Sequence, residues 1–170
     1  MKRKEYDRAQ ADYGRALQLD PKLSIAHVNL ANLFRMQKRF DEAIRELDRA
    51  IELEPRHLLA YLNRGLIAIS RRDGQGALRD FEHALQLQPR SWRARHGRGL
   101  ARYQLGDYRE ALSDLDRVIQ LNPRHAEAYK MRGRTRLKLG HDSKSAAEDF
   151  RTYLRLYPEA EDRESIEKTL

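Results

Sequence analysis

The chain is expected to fold as an all-α solenoid of antiparallel helix pairs, and three observations point there. Proline recurs at positions 21, 55, 89, 123 and 158, a spacing of 34, 34, 34 and 35 residues, the mark of one supersecondary unit copied along the chain. Between the prolines, apolar and small residues recur at intervals of three and four, broken once per unit, which is the period of two helices joined by a short turn. The composition, 40% hydrophobic and 35% charged, is too polar for a thick closed core and suits a thin two-layer stack.

Each segment can be justified in turn. Residues 1–23 carry only the second helix of a unit (Tyr6, Ala9, Tyr13, Ala16, then Pro21). This half unit reads as an N-terminal cap or as the broken end of a longer array. The apolar face of a lone second helix favours the longer array and leaves self-association through that end open. Residues 24–57 form the first full unit, with His27, Leu30, Ala31 and Phe34, a break at Lys38–Asp41, then Ala43, Leu47, Ala50 and Pro55. Proline closes it because it lacks the N–H that would continue the second helix.

Residues 58–91 repeat the pattern with Tyr61, Gly65 and Ala68, then Ala77, Phe81 and Ala84. Residues 92–125 do so with Gly99, then Ala111, Leu115 and Val118; residues 126–160 with Tyr129, Gly133, Ala146, Phe150 and Tyr153, and one extra residue near His141–Ser145. Residues 161–170 lose the pattern and, with Glu159 before them, are acidic, as expected of a short C-terminal capping helix that packs Ile166 and Leu170 on the last unit. Ala31, Gly65, Gly99 and Gly133 fall where the helices of a pair should cross most closely, facing Ala43, Ala77, Ala111 and Ala146.

Two charged series share the period. Arg64, Arg98 and Arg132 occupy one position; Asp12, Glu46, Asp80, Asp114 and Asp149 occupy another, on the second helix. An arginine between packed helices needs a carboxylate, since an unpaired buried charge is costly. The series are expected to pair within a unit (Arg64 with Asp80) or with the preceding one (Arg64 with Glu46). Leu30, at the arginine position of the first unit, leaves both schemes open.

The pattern Leu30-Ala31-x-x-Phe34 with Ala43 and Pro55, and the run Leu105-Gly106-Asp107-Tyr108-Arg109-Glu110-Ala111, resemble the tetratricopeptide repeat over about residues 5–158. Departures are the arginines at 64, 98 and 132, Gly74 at the usual turn aromatic, and the extra residue of the last unit. The resemblance implies a right-handed superhelical solenoid whose first helices line a concave groove for a peptide or helix of a partner protein.

Carried over residue by residue, the resemblance places Ile25, Val28, Asn32, Arg35 and Met36 in that groove, followed by Leu59, Leu62, Leu66 and Ile69. Arg93, His96, Leu100, Tyr103 and Gln104 continue it, and Lys130, Arg134, Leu137 and Lys138 end it. The helix at 58–70 is apolar on two faces, so Leu59, Leu62, Leu66 and Ile69 are either covered by neighbouring helices or an open binding patch. The groove then turns basic and aromatic, which suits a ligand with an apolar segment followed by an acidic one. A carboxylate clamp of the co-chaperone kind is disfavoured, because the matching positions hold Val28, Asn32, Asn63, Arg93 and Gly97, without the first lysine and last arginine. Leu62→Glu is expected to abolish partner binding and leave the helical content unchanged.

Other classes find little support. With no cysteine, thiolate catalysis and cysteine-ligated zinc are excluded. The six histidines, at 27, 57, 83, 96, 125 and 141, show no metal-ligand spacing. No nucleophile or phosphate-loop motif occurs, and no cofactor is implied. The net charge of +8 keeps an RNA-binding helical repeat as the alternative, although Val28, Leu62, His96 and Lys130 share no base-reading theme. No apolar run reaches the roughly 18 residues that would span a bilayer, and the start MKRKEYDRAQ lacks a signal-peptide apolar stretch. The default expectation is a soluble cytoplasmic protein.

Overall fold

The computed structural model describes residues 2–140 and 143–168, and the described residues form ten helices and no strand. The helices are α1 (Lys2–Leu19), α2 (Ser24–Met36), α3 (Phe40–Leu53), α4 (Leu58–Ser70) and α5 (Gly74–Leu87), then α6 (Trp92–Leu105), α7 (Tyr108–Leu121), α8 (Ala126–Lys138), α9 (Ser143–Leu156) and α10 (Arg163–Glu167). His141 and Leu170 lie outside the described residues. The all-helical repeat expected from the proline period is what the chain adopts. By its contacts it divides into two compact units, Met1–Pro89 and Arg90–Leu170.

In the first unit α2 packs on α3 and α4 on α5, with α1 against α2, α3 against α4, and α2 beside α4. The core is built from the small and apolar residues of the period: Ala31, Phe34, Ala43, Leu47 and Ala50, joined by Val28, Ala60 and Ile67. In the second unit α6 packs on α7, α8 on α9, α7 on α8, and α6 beside α8. Leu115 and Val118 pack with Ala128 and Met131; Phe150, Tyr153 and Leu154 pack with Ala160 and with Ile166 of α10. Each fully buried large side chain contributes about 1.5–3 kcal/mol.

The turn inside each pair places one residue in left-handed backbone at the same register: Lys38, Arg72, Gly106 and Gly140, with φ of 61°, 60°, 87° and 68°. Glycine fills that conformation without strain in the second unit, while Lys38 and Arg72 hold it at a cost in the first.

The arginine series pairs within each helix pair. Arg64 Nη2 donates to Asp80 at 2.7 Å, Arg98 Nη2 to Asp114 at 2.7 Å and Arg132 Nη2 to Asp149 at 2.6 Å. A second acid comes from the preceding pair: Arg64 Nη1 reaches Asp48 at 2.6 Å and Arg132 Nη1 reaches Asp116 at 2.8 Å. The acid from the preceding pair is therefore Asp48 and not Glu46, whose carboxylate is held at 2.6 Å by His27 Nδ1. Leu30 needs no such partner, and Gly14 stands at the register of Asp48 in α1. Hydrogen bonds to Asp80, first of all, raise the pKa of Arg64 against the opposing effect of burial.

Candidate functional site

The first helices of the pairs, α2, α4, α6 and α8, carry the residues expected to meet a ligand. In the first unit Ile25, Met36, Leu59 and Leu66 are exposed at 42%, 53%, 47% and 37%. All four lie on α2 and α4, at positions that the family resemblance implies for ligand contact. Asn32 is half-buried and accepts a hydrogen bond from Arg35 Nη2 at 2.8 Å; Ile69 is also half-buried.

Two of the expected contact residues do not reach the surface. Val28 is 2% exposed and Leu62 is 6% exposed. Val28 sits in the core with Ala60, where α2 runs beside α4. Leu62 is the equivalent residue one repeat on. A position in the middle of the stripe is thus covered, while its neighbours about one turn away stay open. This corrects the expectation for Leu62→Glu: a charge there enters the core, so the substitution is predicted to unfold the unit and not to report on binding.

The second unit shows the same rule with polar residues. His96 and Lys130 occupy the position of Val28 and Leu62. The His96 ring meets His125 edge-on at 4.6 Å between centroids, and His125 tilts against Trp92 at 4.8 Å. The Nε2 atoms of both histidines are buried without a hydrogen-bond partner. Burial, with the charge of His125 second, pushes the His96 pKa down to about 3; burial also lowers His125, with Glu127 opposing and Arg93 assisting.

Lys130 is not an open cation. Its ammonium donates to Glu127 at 2.9 Å, to Asp162 at 3.2 Å and to Tyr153 Oη at 3.3 Å, and its side chain is 13% exposed. Burial opposes its charge, but the bonds to Glu127, Tyr153 and Asp162 hold its pKa above the usual lysine value. Asp162, in the segment leading into α10, also accepts from Tyr153 Oη at 2.6 Å and lies 3.7 Å from Arg134 Nη2. Tyr103 is half-buried and meets the Tyr108 ring at 5.3 Å. Arg93 is exposed with its guanidinium carbon 4.8 Å from the Trp92 ring centre, and Arg134, Leu137 and Lys138 are exposed as well.

The histidine pair makes stability in the second unit pH-dependent. Above about pH 6.5 the imidazole is neutral in both the folded and unfolded chain. Below that value the unfolded chain takes up a proton that folded His96 refuses until about pH 3, so stability falls on acidification by about 1.4 kcal/mol per pH unit. His96→Leu is expected to flatten the decline in melting temperature between pH 7 and pH 5 relative to wild type. Identical slopes for the two proteins would show that His96 is not the group responsible.

Sequence reasoning missed three features. Arg95 and Arg102 join Arg98 on Asp114, and Arg136 joins Arg132 on Asp149; alignment of Arg102 with Arg136, 34 residues apart, was the available signal. The Lys130–Asp162–Tyr153 network had none, because the cap carries no repeat register. The His96–His125 contact joins a helix to the following inter-pair turn, and nothing in the period marks it. Among the described residues no group of three metal-ligating side chains converges, and no helix is long and apolar enough to cross a membrane.

Family models described as tetratricopeptide repeat match residues 1–63, 39–91, 62–108, 92–125 and 115–170. No curated protein matches the chain. Among solved structures, the chain is similar to YrrB, described as a tetratricopeptide repeat protein with an unusual peptide-binding site, at 23% identity, covering 98% of this chain and 86% of that one with a TM-score of 0.76. It is also similar to PilW, described as a widely conserved type IV pilus biogenesis factor, at 22% identity, 99% and 80% coverage and a TM-score of 0.86. A third is MamA from Desulfovibrio magneticus RS-1, at 18% identity, 94% and 90% coverage and a TM-score of 0.81. At these identities the likeness concerns the fold. With the models spanning the chain end to end and the helix pairs in register, the chain belongs to the tetratricopeptide repeat family.

Proposed function

We propose that the chain is a non-catalytic protein-interaction scaffold that binds a peptide or helix of a partner protein on the exposed sides of its first helices. The observation that carries this reading is the clustering of Ile25, Met36, Leu59 and Leu66 on α2 and α4, with 37–53% of each residue left in water. Exposed apolar residues gathered on one pair of helices mark interaction sites. Arg93, Arg134 and Lys138 give the second unit's first helices a cationic surface, which supports acidic residues in the ligand and speeds its capture. Val28 and Leu62 position the helices beneath the apolar face, and Lys130 is neutralised by Glu127 and Asp162.

The test replaces Leu62→Glu with Leu59→Glu/Leu66→Glu, which changes surface residues only. Random peptides displayed on phage are selected on the wild-type chain and counter-selected on the double variant. Enriched sequences combining apolar and acidic residues, with at least a ten-fold weaker Kd for the variant at unchanged circular dichroism, are the expected result. Peptides that bind both proteins equally would move the site elsewhere. RNA binding is the competing reading, favoured by the same exposed cations. It predicts single-stranded RNA affinity that falls steeply with salt and is indifferent to the two leucines.

Self-association through α1 belongs to the same proposal. Ala9, Tyr13 and Ala16 are half-buried, whereas their equivalents Ala43, Leu47 and Ala50 are fully covered.

A further inference from the structure

The helix position held by Phe34 in α2, Arg102 in α6 and Arg136 in α8 is held by Ala68 in α4. In the second unit this arginine lies one turn past the ladder arginine and brings the buried carboxylate a further guanidinium. Arg102 Nη1 donates to Asp114 Oδ2 at 2.7 Å, and Arg136 Nη1 donates to Asp149 Oδ2 at 2.8 Å. In α4 the side chain at this position ends at the Cβ of Ala68, and a crevice of about 250 Å³ opens there, lined by Ala68, Arg64, Asp80, Ile44 and Gly76, with Arg71, Asp73 and Arg79 around them. Asp80 is only 7% exposed, and its Oδ2 receives Arg64 Nε at 3.0 Å. The crevice therefore lies where, in two other pairs, a second guanidinium lies against the same carboxylate.

We propose that this crevice binds one guanidinium group, the side chain of an arginine on a partner protein, which docks on Asp80 as Arg102 docks on Asp114 and Arg136 on Asp149. The space is smaller than the roughly 300 Å³ at which drug-sized ligand sites begin, so it suits one side chain. A guanidinium fits better than an ammonium because its flat fork matches a carboxylate held between helices. The surrounding arginines do not forbid a further cation. Arg64 is bonded to Asp80 and Asp48, Arg71 is bonded to Asp41, and the charge of Arg79 is exposed to solvent, which screens it. Asp114 carries three guanidiniums within 3.4 Å, so such crowding is native to this fold. Ala68 lies two residues and about 200° around α4 from Leu66, and the site does not depend on the apolar face.

The experiment titrates the isotope-labelled whole chain with N-acetyl-arginine amide, and separately with N-acetyl-lysine amide, by heteronuclear NMR. Saturable shifts at the amides of Ala68, Gly76 and Asp80 are expected with the arginine probe, and shifts at least five-fold smaller with the lysine probe. Ala68→Arg fills the crevice from within, so it should lose the arginine response and melt at a higher temperature than wild type. Ala68→Phe, which installs the residue that α2 carries at this position, is a second blocked variant and should lose the response too. No saturable shift, equal shifts with the lysine probe, or a response that persists in the blocked variants would overturn the proposal.

Discussion

Asp114→Ala is expected to destabilise the chain by about 3–5 kcal/mol, a large part of the 5–15 kcal/mol that stabilises a typical domain. The carboxylate is 2% exposed and accepts from Arg95, Arg98 and Arg102. Its removal takes the buried anion away from three largely covered guanidiniums at once. Arg98→Ala should cost less, because Arg95 and Arg102 remain to neutralise Asp114. Asp12 provides the control. It shares the register of Asp114, but its side chain is 63% exposed and pairs with Arg15 on its own helix; Asp12→Ala should leave the melting curve unchanged. Urea denaturation of the three variants orders them, and an Asp114→Ala protein as stable as wild type would refute the role assigned to the ladder.

Among the three repeated glycines, Gly133 and Gly99 are expected to differ in the sign of their response to alanine. A Cβ on Gly65 would lie 2.8 Å from Phe81 Cζ, and one on Gly133 would lie 3.0 Å from Phe150 Cε1 and 3.1 Å from the backbone oxygen of Ala146. The Ala146 carbonyl belongs to α9 and cannot yield without moving the helix, so Gly133→Ala should cost about 1–3 kcal/mol. Gly99 faces Leu115 in place of a phenylalanine, and its Cβ would meet Leu115 Cγ at 3.4 Å, an ordinary contact. Gly99→Ala should therefore recover up to about 1 kcal/mol of helix propensity. Thermal denaturation of both variants is the check. A shared sign would mean that the closer contacts at Gly133, with Phe150 and the Ala146 carbonyl, do not decide the response to an added methyl group.

The helix pairs were legible because two helices and a proline stop repeat on a fixed period, and local spacing alone determines which side of each helix is apolar. The ladder was legible for the same reason, since matched periodic charges on packed helices must meet. The acid from the preceding pair was misassigned by two residues, because Glu46 and Asp48 differ only in which neighbour each turns toward, and His27 captures Glu46. The candidate surface was half legible. Register identified Leu59 and Leu66 with Leu62 as one stripe, but exposure depends on how adjacent first helices lie, and Leu62 is covered. Lys130 was read as a free cation because its partner Asp162, 32 residues on, lies in a cap outside the period. The Ala68 crevice is visible only by comparing one helix position across pairs and then seeing the space that alanine leaves.

The most direct test of the interaction surface is site-specific photocrosslinking of a selected peptide. A benzophenone amino acid is placed at Leu66 on α4, at Met36 on α2, and at Arg49 on the exposed side of α3. Crosslinks from 66 and 36 that unlabelled peptide competes away, and none from 49, are the predicted result. Crosslinking from 49 with silence at 66 and 36 would contradict the proposed surface and place the ligand on the second helices instead.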